Sequence, residues 1–177
     1  MSTVSKKICL VGDFGVGKTS LIRRFVERQF SDQYLSTVGV KISQKQISLP
    51  VNPEQKIQNL QLMIWDLEGH TKFKTIAPSY LRGSSGAIIV ADVTRQETME
   101  RLEEHIKLFL SINSQGFIII AFNKSDLFDE EKVAQLLTTY NFSEQPRVIS
   151  TYATSAKTGK DVDLIFEKLA YKIVFPE

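Results

Sequence analysis

The stretch GDFGVGKTS, Gly12 to Ser20, sets a lysine and two hydroxyls at the end of a glycine-rich loop. Gly12 to Thr19 satisfies the pattern GxxxxGK[ST], with an apolar strand, Ile8 to Val11, before it and a helical stretch, Ser20 to Arg28, after it. In that setting the backbone N–H groups of Gly15, Val16, Gly17, Lys18, Thr19 and Ser20 can wrap a β-phosphate at a helix N-terminus. The Lys18 ammonium can neutralise β- and γ-phosphate oxygens, and the Thr19 hydroxyl can bind Mg2+. Glycines leave room for that close approach. Such a loop does not choose a base, because ATP and GTP carry the same triphosphate.

Base choice is carried by NKSD, Asn123 to Asp126, just after a second apolar run. Guanine presents N1–H and an exocyclic amine side by side, and the Asp126 carboxylate can accept both; adenine has no such pair. Asn123 would tie the base region to the phosphate loop, and the Lys124 stem would cover one face of the ring. Taken alone, NKSD fits a polar turn equally well.

Three apolar runs, Lys7 to Val11, Ala87 to Val93 and Phe117 to Phe122, are bounded by turn or charge signals and read as strands buried on both faces. Between them the period changes: Leu102, Ile106, Phe109 and Leu110 mark one helical face, and Val162, Ile165, Phe166, Leu169 and Ile173 another. The alternation predicts a doubly wound α/β domain. Val40 to Leu49 and Ile57 to Trp65, joined by PVNPEQ, predict a hairpin that adds one antiparallel strand at the edge of a parallel sheet. His105 falls on the polar face of its helix and receives no role.

At 177 residues and 42% hydrophobic content the chain suits one domain, residues 1–177, with a single core. A net charge of +2 with interspersed signs supplies no basic field for nucleic acid. The lone Cys9, inside KICLVG, reads as a buried small hydrophobe, in keeping with a reducing, cytoplasmic setting. The N-terminus lacks a signal-peptide h-region, and no run approaches about 18 apolar residues.

TSAKTG, Thr154 to Gly159, completes an ordered set with GDFGVGKTSL, FSDQYLSTVGV, WDLEGH, YLRGSSGAIIVADVT and NKSD, and over nearly its whole length the chain resembles the Ras superfamily of small GTPases, the Rab branch above all. The resemblance implies a G domain, a P-loop NTPase with a mostly parallel six-stranded sheet, one antiparallel edge strand and helices on both faces. It implies a switch that hydrolyses GTP to GDP with Mg2+. Ala156 would give its N–H to the guanine carbonyl, with Ser155 and Lys157 shaping that loop, Phe30 would stack edge-on near the base, and Tyr34 would bind the nucleotide. Thr37 would reach Mg2+ when a γ-phosphate is present, Asp66 would hold the ion through water, and the Gly69 N–H would meet the γ-phosphate. Singly, Thr37 fits a polar loop, Asp66 a strand-ending cap and Phe30 a core aromatic. A monomer is expected, meeting effector, exchange-factor and activator proteins through Thr37 to Ile42 and Asp66 to Tyr80.

Departures from the family cluster at the reaction centre. Phe14 stands where relatives carry serine or glycine, beside the γ-phosphate and on the entry route of an activator's arginine, a group worth roughly 10³ to 10⁵ in rate. His70 replaces the glutamine that orients the attacking water; a neutral imidazole offers a donor and an acceptor with different reach. Translational GTPases resemble this chain in having DxxGH, and their histidine works once a partner places it. Glu68 replaces a small residue and is expected to point to solvent; facing the γ-phosphate, it would repel it. The expectation is a slow GTPase, poorly responsive to arginine-finger activators; the alternative is a docking module that keeps its GTP. Lys41 and Ile42 replace an acid and a phenylalanine in the effector-facing strand. The chain ends KIVFPE without a terminal cysteine, so it carries no prenylation site, and membrane association would need a further tail or a partner.

Overall fold

A computed structural model describes residues 3–33, 36–51, 57–69 and 76–177. Its strands are β1 (Val4–Gly12), β2 (Val40–Pro50), β3 (Ile57–Leu67), β4 (Gly86–Asp92), β5 (Phe117–Asn123) and β6 (Val148–Ala153). The helices are α1 (Lys18–Glu27), α2 (Pro78–Leu81), α3 (Gln96–Glu100), α4 (Leu102–Ile112), α5 (Glu130–Thr139) and α6 (Val162–Val174). The strands form one sheet in the order β2-β3-β1-β4-β5-β6. All neighbours are parallel except the β2–β3 pair, so the expected antiparallel strand stands at the edge. A six-stranded, mostly parallel sheet wrapped by helices is the doubly wound architecture expected from the sequence.

Alternation along β1 divides the core. Ile8 and Leu10 face one layer with Phe25 of α1 and Phe166 of α6; Cys9 and Val11 face the other with Phe109 of α4 and Phe122 of β5. β4 is buried along its entire length, as a central parallel strand between two helical layers must be. The Phe25 and Phe166 rings stack with centroids 4.2 Å apart, locking α1 onto α6. Cys9 is buried as expected; burial raises its thiol pKa, and Ser84 Oγ lies 2.9 Å from its sulfur. Among the described residues no helix is long and apolar enough to cross a membrane.

Register delivers the chemistry to one end of the sheet. Leu10 pairs with Asp66, Gly12 with Val90, and Asp92 with Asn123, so the loops after β1, β3, β4 and β5 emerge side by side at the strands' C-terminal ends. Ligands of open α/β sheets bind in that crevice, beside the central strand from which connections depart both ways.

Two expectations are corrected here. α1 begins at Lys18 rather than Ser20 and ends at Glu27, with Arg28 turning left-handed at φ 58° as its cap. His105 is not on a polar face: it is 2% exposed, in the stripe Leu102, His105, Ile106, Phe109. Spacing of i, i+3, i+4, i+7 is itself the signature of a buried face, so the signal was present and the residue type masked it.

Replacing Phe25 with alanine removes one ring of the α1–α6 stack. We expect a loss of about 3–5 kcal/mol in folding stability, measured by urea denaturation.

Candidate functional site

A cavity of about 360 Å³ opens at the C-terminal ends of the strands. Phe14, Gly15, Gly17, Lys18, Thr19 and Ser20 form its floor, Asn123, Lys124, Asp126, Ala156 and Lys157 one end, and Phe30, Thr37 and Gly69 further walls. Val16 and Ser155, also expected at the ligand, do not line it. Val16 is fully buried under the loop, and Ser155 is buried and acts on Asp126 instead. Phe30 lines the cavity and also packs, partly buried, against the core. Tyr34 and His70 lie outside the described residues, as does 70–75 of the expected partner surface Asp66 to Tyr80.

The loop between β1 and α1 is held by its carbonyls. Lys18 Nζ donates to the Gly12 and Asp13 carbonyls at 3.1 and 3.0 Å. Arg95 Nη2 donates to the Phe14 carbonyl at 2.5 Å, Lys124 Nζ to Gly15 at 2.9 Å, and Asn123 Nδ2 to Val16 at 3.0 Å. Behind the loop, buried Asp13 meets His105 Nε2 at 2.9 Å and Arg101 Nη1 at 3.6 Å. Asp13, Asp92, Arg95, Arg101 and His105 were all missed by sequence reasoning. Arg101 and His105 reach the loop through the Asp13 side chain, Arg95 reaches it at the Phe14 carbonyl, and Asp92 reaches it only through Arg95 and Lys124, so the pairings lie outside any short motif.

Two of the glycines have protein reasons. A Cβ on Gly12 would lie 2.4 Å from the Val90 carbonyl oxygen. One on Gly17, at φ +103°, would lie 2.2 Å from Asn123 Nδ2. Their absence of side chain admits the sheet and the NKSD asparagine, rather than the ligand directly.

At the other end, Ser155 Oγ donates to Asp126 Oδ1 at 2.7 Å and steadies the carboxylate at the cavity wall. Asn123 Oδ1 accepts from Thr154 Oγ1 at 3.2 Å and from the Ala156 amide at 3.3 Å. The Ala156 N–H, expected to face a guanine carbonyl, thus leans on Asn123 through a long bond.

Near Lys18 three oxygens converge. Thr19 Oγ1 donates to Asp66 Oδ2 at 2.6 Å, and Thr37 Oγ1 lies 2.8 Å from Thr19 Oγ1 and 3.4 Å from Asp66 Oδ2. Asp66 Oδ1 is buried without a hydrogen-bond partner among the described residues. Burial raises the Asp66 carboxyl pKa, offset in part by Thr19 and Lys18. Desolvation likewise lowers the Lys18 ammonium to about 8, against the pull of Asp66 and Asp13. Glu68 corrects another expectation. It does not simply face solvent: its Oε2 accepts from the Gly39 amide at 3.2 Å, while its own amide donates to the Gly39 carbonyl at 2.8 Å.

Comparison with known proteins agrees with this geometry. A family model described as Ras family matches residues 7–175. The chain belongs to the Ras family. Within it the likeness is to Rab and Ypt proteins. It is 32% identical to GTP-binding protein ypt5 of Schizosaccharomyces pombe, over 97% of this chain and 79% of that one. It is 35% identical to Ras-related protein RABF2b of Arabidopsis thaliana, over 97% and 82%. It is 34% identical to Ras-related protein Rab-13 of Rattus norvegicus, over 95% and 79%. The protein is therefore a Rab-like small GTPase, a GTP-binding switch. Ras-family GTPases bind GTP and GDP, generally with Mg2+, and interact with effectors and exchange factors.

The lowered pKa of Lys18 gives this GTPase a pH signature. A polyphosphate in contact with Lys18 would oppose desolvation and raise the ammonium pKa again, so above pH ~8 its binding would take up a proton and weaken as pH climbs. Calorimetry about one unit above that pKa, in two buffers of different ionisation enthalpy, should show uptake of a fraction of a proton that vanishes in Lys18→Met.

Proposed function

We propose that this GTPase hydrolyses GTP slowly and responds poorly to activators that insert an arginine. The observation that carries the reading is Phe14, 42% exposed at the cavity wall, with the neighbouring backbone closed by Gly69: a Cβ on Gly69 would lie 2.5 Å from Phe14 Cα. A benzyl group at that wall occupies the approach an external guanidinium needs, and the acceleration it supplies is roughly 10³ to 10⁵.

The chain acts as one G domain with guanine at the NKSD end. Asp126, steadied by Ser155, accepts from the base; Ala156 and Lys157 border it, and Phe30 packs beside the ribose end. The Lys124 ammonium bridges Gly15 and Asp92, which stretches its stem along the cavity as a cover for the ring. Amides from Gly15 to Ser20 and the Lys18 ammonium hold the phosphates, and the Gly69 N–H meets the γ-phosphate.

The residues around Asp66 fit a hard cation. Asp66 Oδ1 is a buried, unpartnered carboxylate oxygen beside two hydroxyls, and burying such an atom is costly without a donor or a metal. Among the described residues no group of three or more His, Cys, Asp or Glu side chains could cage a metal. Thr19, Thr37 and Asp66 would hold Mg2+, whose charge offsets that developing on the phosphate oxygens. In the reaction the Lys18 ammonium and loop amides stay fixed while charge grows on the bridging oxygen, and His70 orients the water through a neutral imidazole nitrogen.

A second reading, a docking module that keeps its GTP, is favoured by the closed arrangement of Thr37 on Thr19 and of Gly39 on Glu68. Val38 and Ile42, 82% and 46% exposed, beside Lys41 form its partner-facing edge, suited to an acidic rather than a basic partner.

The two readings part on turnover. In a single-turnover assay of GTP decay, wild-type protein should be slow with or without an arginine-finger activator, and Phe14→Ser combined with His70→Gln should accelerate decay at least about tenfold. Wild-type rates typical of fast relatives, or no gain in the double variant, would end the slow-enzyme reading; GTP recovered intact after long incubation would favour the docking module. Asp126→Ala should weaken guanine nucleotide binding by about 100-fold or more by titration, because the base's two donors lose their acceptor.

A further inference from the structure

Asp92, 2% exposed in its side chain, gathers two cations on one oxygen: Lys124 Nζ at 2.8 Å and Arg95 Nε at 3.3 Å from Oδ2. Its other oxygen accepts from the Thr94 amide at 2.9 Å and hydroxyl at 2.6 Å. Burial alone would raise this carboxyl's pKa, but hydrogen bonds from Lys124 and Thr94 bring it below the usual carboxylate range. The far ends of the two cations hold neighbouring P-loop carbonyls, Lys124 that of Gly15 and Arg95 that of Phe14. A single buried charge therefore anchors both the base-end lysine and the guanidinium at Phe14.

The peptide unit that Arg95 grips has the Phe14 carbonyl on one side and the Gly15 N–H on the other, and in a trans peptide these point in opposite directions. Pulling the carbonyl outward aims the Gly15 amide into the cavity. A cationic partner on the carbonyl also polarises the unit and strengthens that amide as a donor. The same backbone is the wall against which Gly69 seats, since a Cβ there would lie 2.5 and 2.7 Å from Phe14 Cα and N. Arg95 is also among the charges felt by the Lys18 ammonium.

We propose that Arg95, oriented by Asp92, is a positioning residue for the γ-phosphate end of the loop, so that it governs the hold on GTP more than the hold on GDP. This rests on the reading that the γ-phosphate lies in the cavity against the Gly15 N–H, beside the contact of Gly69 with the Phe14 backbone. The Lys124 arm, by contrast, serves both nucleotides, because the base is common to them. A guanidinium suits the task better than an ammonium: Nε and Nη2 hold carboxylate and carbonyl in one rigid plane.

The test is release of fluorescent GDP and of a fluorescent non-hydrolysable GTP analogue, with Mg2+, from the full chain and from Arg95→Ala, Arg95→Lys and Asp92→Asn. Arg95→Ala should speed release of the GTP analogue about tenfold, the scale of one charge-assisted hydrogen bond, while GDP release changes by less than about twofold. Arg95→Lys should recover part of the loss, since an ammonium still donates to the Phe14 carbonyl. Asp92→Asn, which frees both cations, should speed release of both nucleotides. Equal acceleration of both by Arg95→Ala, or of neither, overturns the proposal. Wild-type protein that holds GDP but binds the GTP analogue no more tightly than Arg95→Ala also overturns it. Wild-type protein that holds neither removes the nucleotide reading itself, and the GDP control separates those failures.

Discussion

Five consecutive carbonyls, those of Gly12, Asp13, Phe14, Gly15 and Val16, each accept a side-chain hydrogen bond. Because C=O and N–H of a trans peptide are opposed, fixing these carbonyls also fixes which way the loop's amides can face. A ring of amides without such ties would be free to rotate, and an anion would have to meet the ordering cost itself. The donors come from distant parts of the chain: Lys18 from the following helix, Arg95 from the loop after β4, and Asn123 and Lys124 from the end of β5. The shape of this loop is thus a property of three neighbouring strand ends acting together.

Those strand ends are neighbours because the sheet order runs β3-β1-β4-β5 and the register aligns their termini. The aligned termini depend on the core. Leu10 on one face and Val11 on the other are fully buried, and a slip of one residue along β1 would exchange their layers. Gly12 and Gly17 complete the fit, since each leaves the space that a neighbouring carbonyl or amide fills. Stability and cavity geometry therefore meet in the same residues, and the buried asparagine of NKSD is a brace between the loop and the strand end beside it.

On the γ-phosphate side the bonds are of a different kind. Thr19, Thr37 and Asp66 contact one another through oxygens alone, leaving Asp66 Oδ1 buried and unpartnered among the described residues. A buried carboxylate oxygen left in this way is costly unless a donor or a cation meets it. Glu68 is bonded to backbone instead. By returning a bond to the Gly39 amide it extends the β2–β3 ladder, whose last pair is Val40 with Leu67, into both switch segments. The backbone edge between Gly39 and Glu68 is thereby joined by two hydrogen bonds, while Thr19, Thr37 and Asp66 meet through side-chain oxygens alone.

The P-loop, the NKSD carboxylate, the hairpin and the alternation of strands and helices were legible in the residues themselves, because each rests on local chemistry: a glycine where the chain must turn, a lysine at a helix start, an apolar run where a strand is buried on both faces. Family resemblance added Thr37, Asp66 and Gly69, and the cavity does unite Thr37 and Gly69 with the loop. What stayed hidden is what crosses between elements. Asp92 reads as the polar end of an apolar run, Arg95 as a loop cation and His105 as a surface histidine; only packing shows the first clasping two cations, the second gripping Phe14, and the third sealed against Asp13. The orientation of Glu68 was equally undetermined, since a flexible carboxylate takes its direction from whichever donor the fold brings near. Residue order alone determined which groups could meet a phosphate and a guanine. The tertiary structure decided which of them are held and by what, because hydrogen bonds and ion pairs depend on separations of a few ångströms between segments far apart in the chain.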